Sequence, residues 1–451
     1  MLLAFTCDNF RSIRYPATLS MRAAAVPGNR QQTIRIGKPE LRIQPVALIH
    51  GERGSGKSNL FKAQLYMKQQ VLESLSAPLH RREELVSTEQ QAWGRSTRQV
   101  HVSADNIGYA AGGADLRPST FQLHFTIPGD QLPVVYDYGF STREGVIQRE
   151  WLRRKAPSMR NNAYFTLFRR NLREDGGYDF EWHTLSDLQI HNLEHTLTPT
   201  TLIVTLGAML GIDFCREVYE WWGKTEFIDY VTLMHMENRS RWIPRNLVDF
   251  RARIPGLLRW LRAYDPSITE IEVRPIHPDE IRAGQHYQIL LGHRVSRQAV
   301  MHYIDLDLEA NSLQLLLALY FPIRRILDIG GLLVLDELDE ALHPQFMAYM
   351  ITLFLEPSMN PNRAQLVFNT TMPWDPEQSL LYPDACWTAM INRRRETQLL
   401  QISEAQPEMV SRPAPDRLKA SRERRESAGI RQSAFEQRNF WQSLQDRHTD
   451  S

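Results

Sequence analysis

The sequence predicts an α/β fold: a mixed or parallel sheet carrying a phosphate-binding loop, interrupted by a long insertion and followed by a C-terminal tail. Two observations carry that expectation. HGERGSGKSNL, residues 50–60, holds G-x-x-x-x-G-K-S from Gly51 to Ser58 between an apolar run and a helical one. Far downstream, GLLVLDELDEALHP, residues 331–344, sets an acidic pair at the end of a second apolar run.

The order of elements supports this reading. Residues 1–7 alternate weakly and read as an edge strand, and Asn9, Phe10, Arg11 and Ser12 as a turn. Residues 43–49 (IQPVALI) form a buried strand that feeds the glycine loop at His50 and Gly51. Residues 59–71 follow at helical spacing, with Leu60, Ala63, Leu65 and Met67 on the core side. Strand, loop and helix in that order is the context the loop motif requires.

The character changes after residue 72. Residues 80–118 are polar and read as loop. Alternating residues predict strands at 121–127 and 134–140, joined through Pro128, Gly129 and Asp130, with further strands at 147–153 and 162–168. Residues 200–264 read as helical, with Trp221, Trp222, Phe227, Leu233 and Trp242 packing inside. Residues 332–335 and 365–368 return to buried strands, and 387–392 with 398–402 form a hairpin around Arg393, Arg394 and Arg395. Beyond Ala405, Pro407, Pro413 and Pro415 mark a linker, residues 417–425 are basic, and Phe435, Phe440, Trp441 and Leu444 can line one side of a helix suited to a partner groove or to the chain's own core. The expected organisation is a core of 1–71 and 285–405, an insertion of 72–284 (a β-rich lobe about 119–190, a helical lobe about 195–265) and a tail of 406–451.

Composition narrows the function classes. The 451 residues are 42% hydrophobic and 23% charged, with formal net charge +1, so no global field draws the chain to nucleic acid or membrane; a local basic patch stays open. Cys7, Cys215 and Cys386 lie far apart and form no C-x-x-C, which predicts reduced, buried thiols rather than a zinc site. The N-terminus has no signal-peptide pattern, and the longest apolar run, residues 201–210, is too short to span a bilayer. The expectation is a soluble, cytoplasmic protein with no membrane partner.

The loop defines a nucleotide site. Gly51, Glu52, Arg53, Gly54, Ser55, Gly56, Lys57, Ser58 and Asn59 would wrap the phosphates of ATP. Lys57 supplies a point charge, and the Ser58 hydroxyl is a Mg²⁺ ligand. Asp336 sits where a parallel strand meets the ligand crevice and would share the Mg²⁺. Glu337, next to it, is placed to polarise the attacking water. A helix start with acidic residues at its positive end is the competing reading, but the apolar run 332–335 favours a strand.

The two motifs lie nearly the whole domain apart, a layout that resembles P-loop ABC-type ATPase heads of the SMC, RecF and OLD sort. MLLAFTCDNFRSI, STFQLHF, VYDYGFSTREGVIQREWL, LDELDEALHP, QLVFNTT and DACWTAMINR resemble, in order, the bacterial single-chain group labelled AAA15, from Met1 to about residue 403. The resemblance implies an ATP-driven homodimer or higher homo-oligomer, with each ATP between the Walker A loop of one copy and a signature loop of the other. It also implies a separate effector protein, a nuclease or toxin, in anti-phage defence systems such as Septu, PARIS and some retrons. No acidic nuclease constellation follows residue 403, so the effector is expected on another chain. The alternative is a RecF- or SMC-like ATPase that binds DNA itself in maintenance or repair. No sustained heptads support the long coiled coils of an SMC machine.

The departures from the group concern the trans-acting parts. Arg53 stands where its loop usually has Asn. Its signature E-S-x-G-T aligns with residues 308–312, so Glu309 replaces the serine, Asn311 the glycine, and Ser312 keeps a hydroxyl. Its switch histidine aligns with Thr371 or Met372, and Asp339 with His343 and Pro344 resembles its D-loop. These changes imply tight nucleotide binding with slow turnover, and an Arg53 that pairs with Glu309 of the partner subunit, contacts the γ-phosphate, or is solvated.

Overall fold

The computed structural model describes residues 1–23, 33–36, 41–75, 117–127, 133–155, 164–230, 254–275, 287–294, 301–338, 342, 344–372 and 379–405. The first stretch forms β1 (Leu2–Asp8), β2 (Ala17–Ser20), the ribbon of β3 (Ile34–Ile36) and β4 (Leu41–Ile43), and β5 (Val46–His50), which passes through the glycine loop into α1 (Lys57–Glu73). The middle stretch forms β6 (Ser119–Ile127), β7 (Val134–Arg143), β8 (Val146–Lys155), β9 (Phe165–Leu172) and β10 (Tyr178–Trp182). It continues with α2 (Asp187–Thr196), α3 (Ile203–Met209), α4 (Asp213–Gly223), β11 (Thr225–Asp229) and α5 (Ile254–Tyr264). Then come β12 (Ile268–Pro275), β13 (Tyr287–Arg294), β14 (Met301–Asp305) and α6 (Asn311–Ile329). The last stretch adds β15 (Leu332–Asp336), α7 (Pro344–Leu355), β16 (Gln365–Thr370), β17 (Cys386–Ile391), β18 (Thr397–Gln401) and α8 (Ile402–Ala405).

Two large sheets organise these elements. Six strands run in the order β11-β15-β16-β5-β17-β18, parallel from β11 through β17, with β18 antiparallel. Its inner strands are covered on both faces, which is why VALI, LLVL and QLVF read as continuous apolar runs. Ala47, Ile49, Val334 and Val367 share one core with Leu60, Ala63 and Met67 of α1. Val46, Leu48, Leu333, Leu335, Leu366 and Phe368 share the other core with α6 and α7. Because the strands are parallel, the loop after β5, the acidic pair after β15 and the segment after β16 emerge at one edge.

The second sheet is antiparallel, in the order β10-β9-β8-β7-β6-β1-β2. It packs its inner face on α1, where Tyr66 lies 5.0 Å from Phe121 and 6.3 Å from Phe10, ring to ring. This corrects one expectation. β1 is not an edge strand, since it pairs with β2 on one side and β6 on the other. The five strands β6 to β10, read as the β-rich lobe, extend the sheet that β1 begins.

A second correction concerns residues 200–264, expected to be helical throughout. After α4 the chain enters β11, which pairs in parallel with β15 at the sheet edge. Thr-Glu-Phe-Ile-Asp carries two adjacent apolar residues and no alternation, so its strand identity comes from backbone pairing, not from pattern. Leu233 and Trp242 of that reading lie outside the described residues, as do Asp339, His343 and the whole tail from residue 406. The three cysteines are free and buried, as expected. Among the described residues no helix is long and apolar enough to cross a membrane.

Candidate functional site

The glycine loop is held from below and open above. A Cβ at Gly51 would lie 2.4 Å from the Ala389 carbonyl oxygen of β17. Gly56 caps α1 at φ 93, and a Cβ there would lie 1.9 Å from Thr397 Oγ1, so only glycine fits both the conformation and the space. At Gly54, φ 80, a Cβ would meet nothing within 4 Å. The crest, with Glu52 and Arg53, is exposed.

A hydroxyl network fixes the underside. Thr397 Oγ1 donates to the Ser55 carbonyl at 3.0 Å and lies 2.7 Å from Ser12 Oγ. Asn59 Nδ2 donates to the same Ser12 oxygen at 2.6 Å, and Thr397 N donates to Ser12 O at 2.7 Å. Arg14 and Glu396 pair at 2.9 Å beside it. The N-terminal turn and the last hairpin thus grip the loop together. Sequence reasoning placed Asn59 in the loop but assigned no role to Ser12 or Thr397.

Lys57 is 6% exposed, with Nζ donating to the carbonyls of Gly51 at 2.6 Å and Glu52 at 2.9 Å. Its charge therefore sits under the loop. Together with burial it lowers the pKa of His50 (burial the larger cause), favouring a neutral imidazole at the base of the loop. Ser58 Oγ lies 2.9 Å from Asp336 Oδ1 and 3.2 Å from Glu337 Oε1. Burial pushes the Asp336 carboxyl up, and the neighbouring Glu337 adds to this. Hydrogen bonds from Asn369 and Ser58, and the charge of Lys62, pull it down. A half-buried carboxylate, a second, exposed carboxylate and a hydroxyl converging from two elements form an all-oxygen set that fits a hard divalent cation.

One further residue completes this corner. Asn369 is buried at the end of β16; its Nδ2 donates to Asp336 Oδ1 and its Oδ1 accepts the Glu337 N–H at 2.8 Å. Glu337 itself has φ 58, a left-handed conformation uncommon outside glycine. A polar residue inside the apolar run QLVFNT was the available signal for Asn369.

The trans-acting candidates lie elsewhere in the chain's own contacts. Glu309 Oε1 is 2.8 Å from His293 Nε2, each side chain 10% exposed, while His293 Nδ1 is 2.8 Å from Ser267 Oγ. Ser312 Oγ lies 2.9 Å from Tyr264 Oη, and Asn311 opens α6. The expected carboxylate for Arg53 of a partner subunit is thus already engaged within its own chain by His293, which sequence reasoning did not single out. Thr371 is half-buried beyond β16, and the Met372 N–H is bonded to Thr370 Oγ1 at 3.0 Å.

Among solved structures the chain is similar to an SMC head domain from Thermotoga maritima, at 12% identity and TM-score 0.35, over 89% of this chain and 98% of that one. It is also similar to the recombination mediator protein RecF with ATP, from the RecFOR pathway, at 12% identity and TM-score 0.34, over 86% and 96%. No family model matches the chain, and no curated protein matches it.

Proposed function

We propose that this chain binds ATP with Mg²⁺ and hydrolyses it slowly to ADP and phosphate. The observation that carries the reading is the shared hydroxyl: Ser58 Oγ reaches both Asp336 and Glu337 across 278 residues of sequence, at the edge where three parallel strands end. Backbone N–H groups at the start of α1 favour phosphate oxygens. Lys57, buried beneath, turns its ammonium from carbonyls to phosphate when nucleotide arrives. Ser58 and Asp336 would hold Mg²⁺, which when bound neutralises phosphate charge. Glu337, exposed at the mouth, orients water and takes its proton. With no arginine supplied by a second protein, turnover runs on the order of 10⁻⁴ to 10⁻² per second.

The setting we infer is nucleotide-gated dimerisation that controls a separate effector in anti-phage defence. The order of motifs quoted above supports it. Fluorescent-ATP titration with Mg²⁺, followed by single-turnover phosphate release, tests the chemistry. Binding without release would leave a nucleotide-dependent scaffold, and no binding would end the reading. Co-purification with the product of an adjacent gene, dependent on ATP, tests the setting; DNA binding in its place would point to a maintenance ATPase.

A further inference from the structure

We propose that Asn369 is a positioning residue for hydrolysis, setting the geometry of both acidic residues through the two ends of one amide. The inference rests on the ATPase reading above. β16 lies between β15, which delivers the acidic pair, and β5, which delivers the loop. Leu335 of β15 is level with Phe368, and Asn369 is level with Ile49 of β5, so Asn369 sits just past the last β15–β16 pair. There the Nδ2 donates to Asp336 and the Oδ1 accepts from the Glu337 backbone.

A planar amide is the neutral group that donates at one end and accepts at the other in a fixed plane. Each end has a distinct consequence. The donor end fixes one oxygen of Asp336, the same Oδ1 that accepts from Ser58. The acceptor end satisfies the N–H of a non-glycine residue held at φ 58. That backbone turn is what brings the Glu337 carboxylate back to within 3.2 Å of Ser58 rather than along the strand axis. Leucine at 369 keeps the volume and removes both ends. Aspartate keeps the acceptor and replaces the donor with an oxygen facing Asp336. Lys57 Nζ donates to the Gly51 and Glu52 carbonyls whereas Asn369 bonds Asp336 and Glu337, so the two side chains act on different partners and phosphate binding can be read separately.

The test uses the full chain with Asn369→Leu, Asn369→Asp and, as a second arm, each in a Glu337→Gln background. Affinity is read with fluorescent ADP and a non-hydrolysable fluorescent ATP analogue, folding by thermal melting, and turnover as kcat and KM. Affinity for both nucleotides is expected within about threefold of the unaltered protein, with kcat lowered about 100-fold, the scale of a one-ångström misplacement. In the Glu337→Gln background the Asn369 changes should add clearly less than the roughly 100-fold they cost alone, because one of the two groups they position is already gone and only the share acting through Asp336 is left. Unchanged kcat in folded Asn369→Leu overturns the proposal. So does a raised KM and Kd with kcat intact, which would make Asn369 a phosphate-binding residue, and so does full additivity with Glu337→Gln. Should the leucine variant fail to fold, the aspartate variant is read by the same criteria. Absence of turnover in the unaltered protein sinks the ATPase reading instead, and is told apart because no variant is needed to see it.

Discussion

The loop corner and the start of α6 both bond their polar groups within the chain but differ in what they leave exposed. At the loop corner, Ser58, Asp336, Glu337 and Asn369 converge from α1, β15 and β16, leaving Glu337 at the surface and the Gly54 crest open. At the start of α6, Glu309 is largely buried against His293, and Ser312 is bonded to Tyr264. One leaves a carboxylate and the glycine crest exposed beside its bonded groups; the other holds Glu309 and His293 against each other with little of either exposed. A resemblance in sequence order assigns both corners to one nucleotide site, but exposure separates a corner with its second carboxylate at the surface from one whose carboxylate is held by its own chain.

The largest effect that sharpens the comparison is in turnover. Glu337→Gln keeps shape and removes the proposed base, so kcat should fall roughly 10²- to 10⁴-fold. Nucleotide affinity should hold, as measured by phosphate release beside fluorescent-ATP titration. The next is in affinity. Lys57→Ala removes a buried cation whose charge-assisted bonds are each worth roughly 1.5 to 3 kcal/mol, so ATP should bind about 10- to 150-fold more weakly. An unchanged Kd would mean the ammonium stays on the Gly51 and Glu52 carbonyls after nucleotide binds.

What the sequence made legible follows the same division. The loop, α1 and β15 were readable because parallel strands buried on both faces give unbroken apolar runs, and because glycine spacing in a phosphate loop is dictated by backbone shape. Leu60, Ala63 and Met67 are buried as expected, while Leu65 is only half-buried and Tyr66 takes the inner place against Phe121. β11 was not legible, since an edge strand of five residues has no pattern of its own. The grip of Ser12 and Thr397 on the loop was not legible either: the partners are 385 residues apart, and nothing local to either announces the other. That grip gives a smaller effect. Thr397→Val removes the hydroxyl that bonds Ser55 O and Ser12, a loss of about 0.5 to 1.5 kcal/mol per hydrogen bond. ATP affinity should drop a few-fold with kcat at saturation nearly unchanged. Asn59→Ala should do the same through Ser12. A collapse of kcat in either would show that the grip sets the acidic pair as well as the loop.

The smallest expected effect bears on Arg53 and Glu309, because it asks whether the closed corner opens. Pairing Arg53 with Glu309 of a partner subunit requires Glu309 to leave His293. Both side chains of that pair are 10% exposed, so the move strands an imidazole among Ser267 and Asp265 with no carboxylate at its Nε2. Leaving one buried polar partner unsatisfied costs about 1 to 3 kcal/mol, which a new pair at an interface must first offset. Glu309→Ala alone should therefore lower the unfolding free energy by a similar amount, read by denaturant titration of the isolated protein, and leave its ATP affinity unchanged. In a cycle of Arg53→Asn and Glu309→Ser on an ATP-dependent dimerisation constant, the two changes should add to within about 0.5 kcal/mol, as for residues that do not meet. A coupling near the roughly 1.5 to 7 kcal/mol of close charge pairs would show the contrary. Glu309 would then exchange His293 for Arg53 when nucleotide assembles the dimer, and the corner that looks closed in one chain would be a latch waiting for the second.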